Sequence, residues 1–146
     1  MRITQEADYA LRVCLALASA ENPIGAPQLA EAFSVPPRSS SKILRKLLLA
    51  GIVNSTRGAN GGFTLSKASE DITLLEIIEA VDGIIAIRHC LEDCHNCNFQ
   101  KNKEECRFHQ MFRELNSIIR TRLGSLSLRD MVSKEIPISD LTKRLF

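Results

Sequence analysis

Residues 34–65 read SVPPRSSSKILRKLLLAGIVNSTRGANGGFTL, and the fold is decided by this stretch. Ser34-Val35-Pro36-Pro37 is a turn, because two consecutive prolines fix the backbone outside a helix interior. The spacing after it predicts a helix from about Arg38 to Ala50, stopped by Gly51. Ile52-Val53-Asn54-Ser55-Thr56-Arg57 and Phe63-Thr64-Leu65-Ser66 are short runs of β-forming residues, and the glycine-rich link Gly58-Ala59-Asn60-Gly61-Gly62 makes them a hairpin.

Upstream, Thr4 is placed as the N-cap of a first helix that reaches about Ala20, with Ala10, Val13 and Leu17 on one face. A short second helix begins at Pro27, a residue suited to a first helical position, and runs to about Phe33. Three helices in this order form a helix-turn-helix, and a hairpin directly after it is a wing. Downstream, Thr73-Leu74-Leu75-Glu76 forms a capping box that opens a fourth helix ending before Gly83. Phe108, Met111, Phe112, Leu115, Ile118, Ile119 and Leu123 step by threes and fours, which predicts an amphipathic helix from about Glu105 to Leu123. Such a helix is about 28 Å long and needs a partner surface, for which a second copy of itself is the expected candidate. Leu128–Val132 reads as a short packing helix. The expected fold class is mainly α with a small β-hairpin wing: a winged helix-turn-helix plus a long C-terminal dimerisation helix.

The chain has 146 residues, 45% of them hydrophobic, which suffices for one compact core and excludes a large enzyme. With 25% charged residues and no apolar run near the roughly 20 residues of a membrane helix, neither a membrane protein nor a disordered chain is expected. Glu6, Asp8 and Arg12 argue against a signal peptide at the N-terminus. The net charge of +2 hides an asymmetry: residues 1–67 carry eight Lys/Arg against four Asp/Glu, and residues 68–146 carry eleven against thirteen. No acidic residue falls between Glu31 and Glu70, while Arg38, Lys42, Arg45, Lys46, Arg57 and Lys67 do. That field points to a polyanion.

On the third helix, Arg38, Lys42 and Arg45 share a narrow arc, opposite Ile43, Leu44 and Leu47. One face suits the core and the other a duplex groove, where Arg and Lys pair with phosphates or guanine edges and Ser39 or Ser41 bonds either. Arg57, beside the glycines of the wing, is placed to enter a minor groove or hold a phosphate.

Of five cysteines, Cys14 stands alone in the first helix as a core residue, while Cys90, Cys94, Cys97 and Cys106 fall within 17 residues, with His109 just beyond. An odd count is unlike a disulfide framework, and the expected setting is the reducing cytoplasm. Thiolates at this spacing suit an iron–sulfur cluster or a structural zinc held by Cys94, Cys97, Cys106 and His109. Free thiols acting as a redox switch are a further option. His89 and His95 read as solvated. A thiol oxidoreductase built on Cys94-x2-Cys97 lacks the strand-and-helix setting such a site needs, so no enzyme is expected.

Met1-Arg2-Ile3-Thr4 with Asp8-Tyr9-Ala10-Leu11-Arg12, the wing Arg57-Gly58-x-x-Gly61-Gly62-Phe63-x-Leu65, the segment Glu79-Ala80-Val81-Asp82-Gly83, and Cys106-x2-His109 opening a long helix together resemble the IscR/NsrR family of bacterial transcription regulators. The resemblance extends over about residues 1–133. It implies a homodimer, joined through the long helix, that binds double-stranded promoter DNA as a repressor or dual regulator. It also implies sensing of iron–sulfur, redox or nitric oxide status through a 2Fe–2S or 4Fe–4S cluster. Carried onto this chain, the cluster ligands are Cys90, Cys106 and one of Cys97 or Cys94. Two branches of the family differ in the fourth ligand, here His109 or Asp8, and the additional cysteine is itself a candidate. Ser40 departs from the pattern, since it falls on the apolar face where a large residue is usual. The expected organisation is a DNA-binding unit over 1–67, a connecting helix and cysteine-rich loop over 68–104, a dimerisation helix and packing segment over 105–133, and a tail over 134–146.

Overall fold

The computed structural model describes residues 3–58, 60–92, 102–133, 137, 139 and 140. Helix α1 spans Gln5–Ala18, and the Thr4 hydroxyl caps it by accepting the Ala7 N–H. Helix α2, Ala26–Ala32, is held at its start by Gln28, whose side-chain oxygen accepts the Gly25 N–H at 3.0 Å. Helix α3 covers Pro37–Leu49 and opens on Pro37, where the missing N–H is no loss because a first-turn N–H has no intrahelical partner. Gly51 follows at φ 69°, a left-handed conformation that glycine adopts without Cβ strain, and the chain leaves the helix there.

Strands β1, Val53–Thr56, and β2, Gly62–Leu65, pair antiparallel with Val53 opposite Leu65 and Thr56 opposite Gly62. Ile24, in the α1–α2 connection, bridges Phe63 from the far side through two backbone hydrogen bonds of 3.1 and 2.9 Å. This close approach requires glycine at position 62, because a Cβ there would lie 2.8 Å from the Ile24 carbonyl. The wing is thereby fastened to the helical unit along one edge.

Helix α4, Leu74–Asp82, starts at the expected capping box: Glu76 N–H donates to the Thr73 hydroxyl at 3.2 Å and Thr73 N–H to the Glu76 carboxylate at 2.8 Å. Helix α5 covers Arg107–Gly124 and helix α6 Leu128–Val132. The α6 entry is sewn to the α4 entry by Leu74 N–H to Leu126 O and Leu128 N–H to Ile72 O, 2.9 and 2.8 Å.

One core unites α1, α2, α3, β1, α4 and α6 around Val13, Leu29, Ile43, Leu47, Val53, Ile77 and Leu128. A smaller cluster of Ala7, Ile78 and Ile85 receives Ile119 and Leu123 and thus anchors the C-terminal part of α5. Ahead of that anchor Phe108, Met111, Leu115 and Ile118 are exposed, spaced by three, four and three residues so that they line one stripe.

Candidate nucleic-acid interface and cysteine cleft

The two sides of α3 divide as its sequence pattern predicts. Ile43, Leu44 and Leu47 are buried, whereas Arg38, Ser41, Lys42 and Arg45 are exposed and Ser39 is half-buried. Arg38, Arg45 and Arg57 make no ion pair or hydrogen bond among the described residues, so their guanidinium groups are available to an outside anion. The Ser41 hydroxyl donates to the Pro37 carbonyl at 3.1 Å, which occupies its proton but leaves its lone pairs. Ser40 is buried at 1% exposure and its hydroxyl bonds nothing among the described residues. It occupies an apolar position without any local hydrogen bond in return. Arg57 is exposed immediately after β1, and Gly58, at φ 116°, turns the chain there.

Lys42 is placed differently from its two arginine neighbours. Its ammonium donates to Glu6 in the first turn of α1 at 2.6 Å. The other Glu6 oxygen takes Lys46 at 3.0 Å, and Lys46 also donates to the Val81 carbonyl at 2.6 Å, at the end of α4. These bonds, from Lys42 foremost and then Lys46, hold the Glu6 carboxyl below the ordinary carboxylate range. No sequence signal announces this contact, because its partners lie 36 and 40 residues apart. Asp8, one of the candidate cluster ligands, pairs with Arg12 at 2.9 Å within α1.

Cys14 is fully buried and burial pushes its thiol up to about 12, as suits an inert core residue. The described part of the cysteine segment contains single 3-10 turns at His89–Leu91 and Lys103–Glu105. Residues 85–88 are strapped to α5. The Asn116 side chain accepts the Ile87 N–H and donates to the Ile85 carbonyl, both at 3.0 Å, and the Arg88 guanidinium lies 5.5 Å from the centre of the Phe112 ring. This strap sets Cys90 beside the first turns of α5. Glu104 is fixed there too, by Arg113 at 3.0 and 3.1 Å.

A cleft of about 290 Å³ results, lined by Cys90, Glu92, Lys103, His109, Arg113 and Asn116, with Leu91 and Glu104 completing its wall. His109 is 7% exposed and its Nδ1 has no hydrogen-bond partner among the described residues. Cys106, half-buried, is the N-cap of α5 and precedes His109 by one helical turn. The structure therefore brings Cys90 and His109 to one cleft, with Cys106 adjoining along α5. Asp8 does not line it, and Cys94, His95 and Cys97 lie outside the described residues. Among the described residues no group of three or more His, Cys, Asp and Glu is assembled to hold a metal ion. The donor chemistry nonetheless fits an iron–sulfur cluster or zinc, since an imidazole with an unpartnered buried nitrogen and a thiol belong to residues that line the same cleft. His89, on the outer side, is exposed and its Nδ1 lies 3.2 Å from Glu92.

A helix-turn-helix with an exposed basic second helix, followed by a hairpin wing fastened to it, defines a winged-helix DNA-binding regulator. Residues 3–134 match the family model Rrf2, described as an iron-dependent transcriptional regulator, and the chain belongs to this family. It is 32% identical over 149 residues to an rrf2-like HTH-type transcriptional regulator of Rhodobacter capsulatus, across 95% of this chain and 97% of that one. It is 29% identical over 137 residues to the HTH-type transcriptional regulator IscR of Photorhabdus laumondii, across 92% of this chain and 81% of that one. The solved structure of CymR, the global cysteine regulator of B. subtilis, superposes with a TM-score of 0.72 at 24% identity, across 90% of this chain and 96% of that one, and supports the fold. These relatives are transcriptional regulators rather than enzymes. No helix among the described residues is long and apolar enough to cross a membrane.

Proposed function

We propose that the chain is a cytoplasmic homodimeric regulator, in the first instance a repressor, that binds double-stranded promoter DNA and reports iron–sulfur, redox or nitric oxide status through an iron–sulfur cluster. The observation that carries the DNA reading is the exposed face of α3, where Arg38 and Arg45 are unpaired among the described residues and stand back to back with a buried apolar face. In this reading residues 1–67 bind DNA, 68–104 sense, 105–133 dimerise and 134–146 form a tail. Arg38, Lys42 and Arg45 donate to phosphates or guanine edges, Ser39 and Ser41 add polar contacts, and Arg57 follows the wing into the minor groove or onto a phosphate. The exposed stripe of Phe108, Met111, Leu115 and Ile118 is the surface a second copy covers.

Cys90, Cys97 and Cys106 hold the cluster in this reading, with His109, Asp8 or Cys94 as fourth ligand. When bound, the cluster supplies chemistry that responds to electrons, oxygen and nitric oxide. The chain's own part is positional: Asn116 and Phe112 fix the strap that carries Cys90, and α5 carries Cys106 and His109. A signal reaches the DNA-reading face only if the ligated and unligated arrangements differ in DNA affinity. The family's description as iron-dependent supports the cluster. The likeness in fold to the cysteine regulator CymR supports a second reading, with structural zinc or a thiol switch in the same segment.

One experiment tests both parts. Anaerobically purified protein is expected to be coloured and to enrich a sequence from a random duplex pool. Arg45→Ala should weaken binding to that duplex and Cys90→Ala should remove the colour. A colourless protein that still selects its duplex replaces the cluster by zinc or free thiols. Unchanged affinity in Arg38→Ala and Arg45→Ala removes α3 from the interface.

A further inference from the structure

Within the α3 face, Lys42 alone among Arg38, Lys42 and Arg45 is occupied by a carboxylate of its own chain. The carboxylate that occupies it is not symmetrical in its commitments. Glu6 holds Lys46 with one oxygen, and Lys46, whose side chain is 31% exposed, is anchored again on the Val81 carbonyl. Lys42 is 59% exposed and has Glu6 as its partner among the described residues. If Lys42 leaves, Glu6 keeps Lys46, and α1, α3 and α4 stay joined. If Lys46 leaves, a half-buried ammonium and a carbonyl lose partners together. The exchangeable bond is therefore Glu6–Lys42. A pair this exposed is weak and yields to a phosphate, whose charge is attended by many others along the duplex.

We infer that Glu6 is a built-in competitor for DNA phosphate: it occupies Lys42 in the free protein and releases it to the duplex, lowering DNA affinity without breaking the α1–α3–α4 junction. This rests on α3 being the DNA-reading helix. Glu6 is a positioning residue in this scheme and touches no DNA. Its place in the first turn of α1 means that any movement of that turn alters how far Lys42 is withheld.

The test is a double-mutant cycle on the duplex selected by the wild-type chain, measured over a series of salt concentrations. Glu6→Gln is expected to tighten binding roughly twofold to fivefold at low salt, as loss of an exposed ion pair allows. The gain should vanish when Glu6→Gln is made in a Lys42→Ala background. Glu21→Gln, which removes the same charge from the same half of the chain, should give little gain. Glu6→Asp keeps the negative charge but draws the carboxylate back from both lysines, and it should show a smaller gain with the same dependence on Lys42, so it carries the test if Glu6→Gln melts early. An equal gain with and without Lys42 overturns the inference in favour of a general field effect. Weaker binding by a folded Glu6→Gln variant overturns it by making the pair a support for the helix. Arg38→Ala and Arg45→Ala separate the two levels: if both leave affinity unchanged the α3 reading fails, and if either weakens binding while Glu6→Gln is neutral, only the competitor fails.

Discussion

Helices α3 and α5 are both amphipathic, yet they dispose of their apolar residues in opposite ways. Ile43, Leu44 and Leu47 of α3 are all buried within one chain, while α5 leaves Phe108 at 67%, Met111 at 48%, Leu115 at 45% and Ile118 at 47% exposure. The same contrast extends to their buried polar atoms. Ser40 on α3 and His109 on α5 each carry a buried polar atom with no partner among the described residues. Ser40 sits on the core face of its helix with Ile43, Leu44 and Leu47, whereas His109 forms part of a cleft wall beside Cys90. An unsatisfied atom on a core face is a cost to the fold, whereas one on a residue that lines a cleft beside a thiol belongs to a donor set suited to a ligand. Amphipathicity alone thus does not say whether a helix completes its own domain or awaits something else.

The largest expected effect breaks the comparison at its core side. Ile43→Ala deletes buried methyl groups at 0% exposure and should cost about 3 kcal/mol of stability, independent of protein concentration, by urea unfolding. Leu115→Glu on α5 should leave the stability of the dilute chain nearly unchanged and instead lower the dimer fraction in sedimentation. If the two variants behaved alike, with Leu115→Glu unfolding the dilute chain, the stripe would belong to the chain's own core.

How legible each helix was follows from the range of its determinants. The start of α3 at the double proline, its stop at Gly51, the hairpin and the Thr73–Glu76 capping box are all set by residues within a few positions of one another, and the sequence carries those signals directly. The register of α5 was equally plain, since Phe108 to Leu123 repeats at helical spacing. The cleft was not, because Cys90 reaches His109 only through the Asn116 strap, 29 and 31 residues along the chain, and through Arg88 on Phe112. Spacing of cysteines suggests which atoms are suited to a cluster but not which of them meet. The link from Glu6 to Lys42 and Lys46 is absent from the sequence pattern for the same reason, since that pattern groups Lys42 with Arg38 and Arg45 and carries no sign of a partner 36 residues away.

A medium effect sharpens the contrast between the two buried polar atoms. Ser40→Ala removes a hydroxyl that makes no bond among the described residues and leaves the backbone bond from Ser40 N–H to Pro36 O in place. It should raise stability by about 1 kcal/mol and raise the thermal midpoint by several degrees. His109→Ala should not stabilise in the same way, because its ring fills a cleft wall that opens to solvent. A destabilised Ser40→Ala variant would mean that the hydroxyl does have a partner in solution, such as a buried water.

The smallest effect lies in α4, which packs against both α3 and α5 and shares neither of their outward faces. The Thr73 backbone N–H, ahead of its hydroxyl and Lys67, holds the Glu76 carboxyl below the ordinary carboxylate range. A depressed folded value means that ionised Glu76 stabilises the fold at pH above the unfolded carboxylate range and that this stability is lost as pH falls through the folded value. Because the side chain is 44% exposed, Glu76→Gln should cost only about 0.5 kcal/mol at neutral pH, with the glutamine still able to accept the Thr73 N–H. Wild type and variant should converge only once the pH has fallen below the depressed folded value, where both carry a neutral side chain. DNA affinity of the variant should match wild type, since the cap lies away from Arg38, Arg45 and Arg57 in the chain and alters none of their charges. A gap that persisted in acid would assign the effect to the shape of the capping box rather than to its charge.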